Sequence, residues 1–534
     1  MLLTLQTLVV LLTVIAAVAA VARRVQIPPA ILLVIAGLVL AFLPGLPAME
    51  LAPQLMLLVI LPPVVYWSAV TMSWREFRSN LRPISLLAVG CVVFTTATTA
   101  SAAHYLLGFP WAVAFVLGAI ISPPDEVAPL SIARRLRLPS RLQVILEGEG
   151  LANDATSLVL YRFAVAAVAT GAFSLAQAGA EFVAIVAGEI LWGIAIGWVI
   201  LRLRQRAHDP DVEILLSVLT PFIAYWPAQF LGGSGVLAAV SAGLYVSWNG
   251  PQLISSATRL QGIFFWSFLN YLIEGLVFLV TGLQARGVIA RVGQAPLSEL
   301  LFSAGVVCAV VILARFVWVF PSAYLPRWLI PAIRRGESAP SWRSVFVLAF
   351  TGVRGLVSLA VALAIPLATN AGQPFPYRDM ILFLTFAVIL VTLVGQGLTL
   401  PSLIRLLGLA NTGEHEKRRE RAQERAARRE GIEAALTKLA ELEAERGLPD
   451  AFCTKLRESY SDRLRLLEHR GKLDRRKAIE RYDEVEDLLI ATERSSVNEL
   501  YRQNKLSDES RRRIERELDL REAQLTKFRE SDEI

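Results

Sequence analysis

Apolar runs of about twenty residues recur along this chain of 534 residues from residue 3 to residue 400. Coiled into a helix, such a run matches the hydrocarbon thickness of a bilayer. The runs fall at 3–22, 26–45, 51–72, 83–106, 110–132, 142–168, 179–201, 211–231, 235–248, 262–284, 299–322, 344–368 and 379–400, which makes thirteen candidate spans. A soluble chain of this length would instead show several amphipathically patterned domains. The mean hydropathy of +0.52 agrees with the membrane reading. From Gly413 onward the composition reverses and almost half the residues are charged. Two domains are therefore expected: an all-α polytopic membrane domain over 1–412 and a cytoplasmic charged helical tail over 413–534.

The basic balance belongs to the membrane part. Residues 1–412 contain 24 arginines, no lysine and 16 acids, an excess of +8, whereas the tail has 29 basic and 30 acidic residues. Arg23, Arg24, Arg75, Arg78, Arg82, Arg134, Arg135, Arg137, Arg141, Arg202, Arg204, Arg206, Arg259, Arg327, Arg334, Arg335 and Arg343 fall on one side of the expected topology, and only Arg286, Arg291 and Arg378 on the other. Such a bias marks the cytoplasmic loops, so it places the N-terminus outside and the tail inside, in the plasma membrane (for a bacterium, the inner membrane). The first run lacks a basic leader and is followed by its arginine pair, which reads as a retained span rather than a signal peptide. No nucleic-acid partner is implied, because the tail's charges are mixed in sign. The three cysteines and four histidines carry no metal or disulfide spacing, and no cofactor is expected. The tail's leucines (Leu436, Leu439, Leu442, Leu464, Leu467), punctuated by Gly431, Gly447-Leu448-Pro449 and Gly471, predict a helical or coiled-coil-like domain that could engage a regulatory partner or ligand.

Acids inside the apolar runs are the chemical anomaly. A carboxylate at bilayer depth costs at least a few kcal/mol and marks a functional site by default. Asp125 lies in the fifth run behind Pro123-Pro124 and ahead of Pro129. Proline breaks the backbone ladder there, and freed carbonyls are tolerated only where they line a cavity or are buried in protein. The local chemistry is that of a hard-cation site. The sixth run holds Glu147, Glu149, Asn153 and Asp154. Helical geometry sets Glu149 and Asn153 about 40° apart and Asp154 about 140° from Glu149, so the two acids face different neighbours. The twelfth run supplies a counter-charge, Arg354, between Gly352 and Gly355, and the expected pair is Glu149 with Arg354, a structural bridge. Two Gly/Pro-broken segments seven spans apart point to inverted repeats around a midplane site. Ser68, Ser122 and Ser157 could supply oxygen ligands or bond their own backbone. Glu274, one turn from Asn270, could line the pathway. For Glu189, Arg162 and Arg315 a structural pairing is at least as strong a reading.

At these residues the sequence resembles a monovalent cation:proton antiporter of the bacterial NhaP and animal NHE type. The resemblance covers residues 5–405 and is carried by ISPPDEVA, EGEGLANDA and FTGVRGLVSLAVALAIP, with LPPVVY and FLNYLIEGLVFLVTGLQ in support. It implies a thirteen-span, NhaA-like fold of two inverted repeats, a homodimer, and electroneutral exchange of one Na⁺ (or Li⁺, or K⁺) for one H⁺ in pH and sodium homeostasis. On that resemblance Asp154 is the ion-binding and proton-carrying residue and Asp125 its partner on the broken helix, with Pro124, Ser122 and Ser157 beside them. Asn153 marks the electroneutral branch, and Glu149 with Arg354 forms the structural pair. The sequence departs from the pattern at Gly150, where relatives have Ser, and at Tyr66-Trp67-Ser68, where some have Glu. Both departures bear on cation affinity and choice. A gated cation channel or sensor on the same fold is the alternative, separated from an exchanger by the absence of proton coupling. An intramembrane aspartyl hydrolase built on Asp125 and Asp154 is a more distant one.

Overall fold

The computed structural model describes residues 2–25, 27–43, 53–171, 175–293, 296–331, 339–369, 372–446, 449–469, 473–503, 505–507, 510–511 and 513–522. Arg334, Arg335, Gly447, Leu448 and Gly471 lie outside them. Among the described residues the chain is helical, with one isolated β-bridge between Ala368 and Pro374. It divides into two compact units, Met1–Glu416 and Lys417–Ile534.

In the first unit the helices follow the apolar runs. They are α1 (Leu2–Val25), α2 (Pro29–Ala41), α3 (Pro53–Thr71), the short α4 (Trp74–Ser79), α5 (Leu81–Leu107), α6 (Trp111–Ile121), α7 (Val127–Arg135), α8 (Ser140–Thr170), α9 (Leu175–Ala207), α10 (Pro210–Phe230), α11 (Val236–Leu253), α12 (Ser256–Leu283), α13 (Ala285–Arg291), α14 (Leu297–Leu329), α15 (Trp342–Phe350), α16 (Leu356–Leu363) and α17 (Arg378–Leu406). Among the described residues, seven helical stretches are long and apolar enough to cross a membrane: those of α1, α3, α5, α9, α12 continued into α13, α14 and α17. The expected fifth and twelfth spans are each two half-helices, α6 with α7 and α15 with α16.

Inside this unit the backbone departs from α-geometry where a side chain intrudes. Pro62 has no N–H to offer the carbonyl of Leu58. The turn Met56–Ile60 widens into a π-turn, and the Trp226 indole of α10 donates to that carbonyl at 2.9 Å. In α5 the Trp318 indole of α14 donates to Leu86 O at 2.8 Å, within the π-turn Leu86–Cys91. These are the local repairs expected where water cannot reach a freed carbonyl. Close approach also depends on small residues. A Cβ at Gly37 of α2 would stand 2.1 Å from Leu279 O of α12, so the two backbones touch. The largest apolar cluster surrounds α6, with Val116, Leu117, Ile120 and Ile121 wholly buried beside Leu151 of α8, Val311 of α14 and Ile381 and Leu384 of α17. The last turns of the half-helix that leads to the first break, from Val116 to Ile121, are thus packed in on all sides.

The second unit follows its own chemistry. Its helices are α18 (Glu414–Arg446, whose first residues belong to the first unit), α19 (Asp450–His469) and α20 (Leu473–Arg502). Helix α18 is laced by exposed pairs of helical spacing, Arg428 with Glu424 and Arg429 with Glu433. Its leucines Leu436, Leu439 and Leu442 are half-buried, as is Leu464 of α19, while the side chain of Leu467 lies outside the described set.

Candidate functional site

The two helix breaks meet. Pro123 and Pro124 end α6, and α7 restarts at Val127. Thr351 to Gly355 separate α15 from α16. The Asp125 amide donates to the Val353 carbonyl at 2.7 Å, a backbone bond from one break to the other. Asp125 Oδ1 accepts from the Val127 amide at 3.0 Å and so caps α7 with its own side chain. Its second oxygen, Oδ2, is buried without a hydrogen-bond partner. That oxygen lies against Gly355, where a Cβ would stand 1.8 Å away, so position 355 must be bare backbone.

Helix α8 braces the first break from the side. Asn153 Nδ2 donates to the Pro124 carbonyl at 2.7 Å, and Ser157 Oγ to the Ala119 carbonyl at 2.8 Å. Ser122 Oγ donates to the same Ala119 carbonyl, one turn back on its own helix, at 3.1 Å. Asn153, Ser122 and Ser157 are therefore braces of the break, and none of them lines the cavity described next.

The expected pairing of Glu149 with Arg354 is corrected. Arg315, on the unbroken helix α14, holds Glu149 in a two-pronged bridge, with Nη1 to Oε1 at 2.5 Å and Nη2 to Oε2 at 2.8 Å, both side chains almost wholly buried. Arg354 instead donates to carbonyls: Nε to Ile121 O at 2.9 Å, Nη2 to Ser122 O at 3.2 Å and Nη1 to Gly352 O. Its amide donates to Thr392 Oγ1 at 2.9 Å. The physical reason is the break itself. The last carbonyls of α6 have lost their helical donors, and a guanidinium with five N–H groups can serve several of them at once. Arg315 is the structural partner that the sequence had left among its weaker candidates. Glu147 pairs with Arg134 at 3.3 Å.

The remaining acids converge on one cavity between α3, the first break, α8, α12 and α16. About 670 Å³ of empty space lies here, counting the part open to the outside, and its polar lining includes Ser68, Asp125, Glu126, Asp154, Glu274 and Ser358, with Pro124 in its wall. Asp154 leaves α8 toward this space, while Glu149 leaves it toward α14. Glu274 Oε1 accepts from Asn270 Nδ2 one turn earlier on α12. Glu189 lies apart and caps α11, accepting from the amides of Gly235 and Leu237 at 3.0 and 3.1 Å.

Sequence reasoning passed over Glu126. Its carboxylate lies directly on Gly150: a Cβ there would stand 1.9 Å from Oε2 and 2.2 Å from Cδ. Gly150 precedes Asp154 by four residues and so faces the same side of α8. That spacing, with an acid immediately after Asp125 in the break, was the available signal. No metal-holding group of three or more His, Cys, Asp or Glu side chains occurs among the described residues.

Residues 9–406 match the family model of the sodium/hydrogen exchanger, transmembrane. Over 513 residues, 94% of this chain and 93% of the other, it is 34% identical to an uncharacterized Na⁺/H⁺ exchanger of Mycobacterium tuberculosis. It is also 34% identical to a sodium, potassium, lithium and rubidium/H⁺ antiporter of Bacillus subtilis, over 74% of this chain and 60% of that one. Among solved structures, the sodium proton antiporter MjNhaP1 from Methanocaldococcus jannaschii superposes with a TM-score of 0.60 over 76% of this chain and 98% of that one, at 18% identity, which is a likeness of fold. With its membrane-length helices and an acid-lined cavity where two broken helices meet, the chain belongs to the sodium/hydrogen exchanger family of membrane transporters.

Proposed function

We propose that this protein exchanges one Na⁺ (or Li⁺, or K⁺) for one H⁺, electroneutrally, at the cavity between the two breaks, in the service of pH and sodium homeostasis. One observation carries the reading: Asp125 and Asp154 line a single cavity, and no basic side chain among the described residues pairs with either. An unpaired carboxylate cannot be carried through a low-dielectric barrier at acceptable cost. A proton or a partly dehydrated cation can each neutralise it, and hard cations favour oxygen ligands. Competition between the two at Asp154, with Asp125 completing the shell, couples their fluxes. Asn153, Ser157 and Arg354 act indirectly, by holding the carbonyls of the break in place. The named substrates of the Bacillus relative are consistent with a choice among alkali cations.

In this reading thirteen spans form two inverted repeats of NhaA-like design, with residues 81–170 and 297–406 as the cores, and the protein works as a homodimer in the bacterial inner membrane. The arginine asymmetry of the loops supports an external N-terminus and a cytoplasmic tail. The deciding experiment uses everted membrane vesicles and a fluorescent ΔpH probe. Asp154→Asn should abolish cation-driven ΔpH dissipation while its membrane level stays at that of the unmodified protein. Retained exchange would remove Asp154 from the site. Cation current without proton movement in the unmodified protein would replace the exchanger with a channel.

A further inference from the structure

We propose that Glu126 is a third acid of the cation site, admitted to it by Gly150, and that its charge sets the affinity of the site although the three acids do not stand as one metal-holding group. The inference rests on the cavity being the cation site, and it adds a residue that sets affinity and choice there. Glu126 stands in the first break, immediately after Asp125, and lines the same cavity as Asp125 and Asp154. Its carboxylate occupies the space where any side chain at position 150 would begin, 1.9 Å from such a Cβ. That space lies on the face of α8 that carries Asp154, one turn away. Gly150 therefore acts as a notch, through which the bare backbone of α8 lets a long acid from the break reach the ground beside Asp154.

The surroundings argue against a structural role for this acid. Away from this cavity, four acids of the first unit are tied to arginines or to helix amides. Glu149 has Arg315, Glu147 has Arg134, Glu213 has Arg204, and Glu189 caps α11. Among the described residues no basic group pairs with Glu126. A carboxylate facing a cavity without a fixed counter-charge gains most from a mobile one. In oxygen-lined cation sites the number of charged ligands tunes affinity. Glu126 supplies that extra charge from the N-cap of α7, where its carbonyl accepts from the Leu130 amide at 2.8 Å while its side chain stays free of the helix.

The test titrates Li⁺, Na⁺ and K⁺ against ΔpH in everted vesicles from a host lacking its own exchange. Glu126→Gln should raise the apparent KM for the preferred cation at least tenfold, while the maximal rate falls less than threefold. Gly150→Ala should expel the carboxylate and raise KM similarly, at reduced membrane level. Combining it with Glu126→Ala should restore the level, because the clash is gone, and leave KM at the value of Glu126→Ala alone. Multiplying KM effects in the double variant, or a KM for Glu126→Gln within twofold of the unmodified protein, would overturn the role. If the unmodified protein exchanges none of the three cations, the cation-site reading itself fails, an outcome separate from a failure of Glu126 alone.

Discussion

Helix α8 carries two acids with opposite fates. Glu149 turns toward α14 and is locked by Arg315 through two short bonds. Five residues later Asp154 turns toward the cavity it shares with Asp125 and Glu126. The two sides share one helix and one functional group, and they differ in what faces them. A buried bridge keeps its charges fixed and contributes order; an uncompensated carboxylate invites a mobile counter-charge. The helix thus has one side that holds the architecture and one side open to chemistry.

The comparison can be broken in a definite order. Asp154→Asn should produce the largest functional loss, exchange falling to background, with no loss of thermal stability of the detergent-solubilised protein. Arg315→Ala should do the reverse: it strands Glu149 as a buried unpaired charge at a cost of about 3–5 kcal/mol. The readout is a lowered midpoint in fluorescence-detected thermal denaturation, with partial recovery when Glu149→Gln is added. Arg354→Lys keeps the charge but loses the fork that serves Ile121 and Ser122. Each charge-assisted hydrogen bond is worth about 1.5–3 kcal/mol, so stability and maximal rate should fall together. Ser157→Ala removes one hydrogen bond to Ala119 and should cost about 1 kcal/mol, with exchange retained. Arg428→Ala in the tail, which breaks an exposed pair with Glu424, should change stability by less than about 0.5 kcal/mol in circular-dichroism melts. If Arg315→Ala abolished exchange at unchanged stability, or Asp154→Asn destabilised the fold, the division of α8 into two sides would fail.

Much of this was legible before any coordinates. The apolar runs anticipate the helices, because a lipid-facing helix must be apolar along its whole length, and the Pro123-Pro124 and Gly352/Gly355 pairs mark the two breaks. Helical spacing also separated Glu149 from Asp154. The partner of Glu149 was not legible. Arg315 and Arg354 are both buried arginines, and nothing local says which faces α8. That choice depends on how α14 packs and on which carbonyls the break leaves bare. Glu126 was hidden for a related reason. Its reach depends on the absence of a side chain 24 residues away at Gly150, and a missing side chain leaves no mark until the backbones are brought together.

The backbone bond from Asp125 to Val353 has a mechanical consequence. It rivets the two interruptions to each other at the level of the main chain, where no side-chain rotamer can release it. Arg354, which reaches from the second break to the last carbonyls of α6, adds a second rivet. A load seated on Asp125 and Asp154 would then ride on a single carriage made of four half-helices and of α8, which Asn153 and Ser157 tie to the first break, with its carbonyls and charges travelling together. The gates that open to one side of the membrane or the other would have to lie where that carriage slides past its neighbours, along α3 and α12, which contribute Ser68 and Glu274 to the cavity wall.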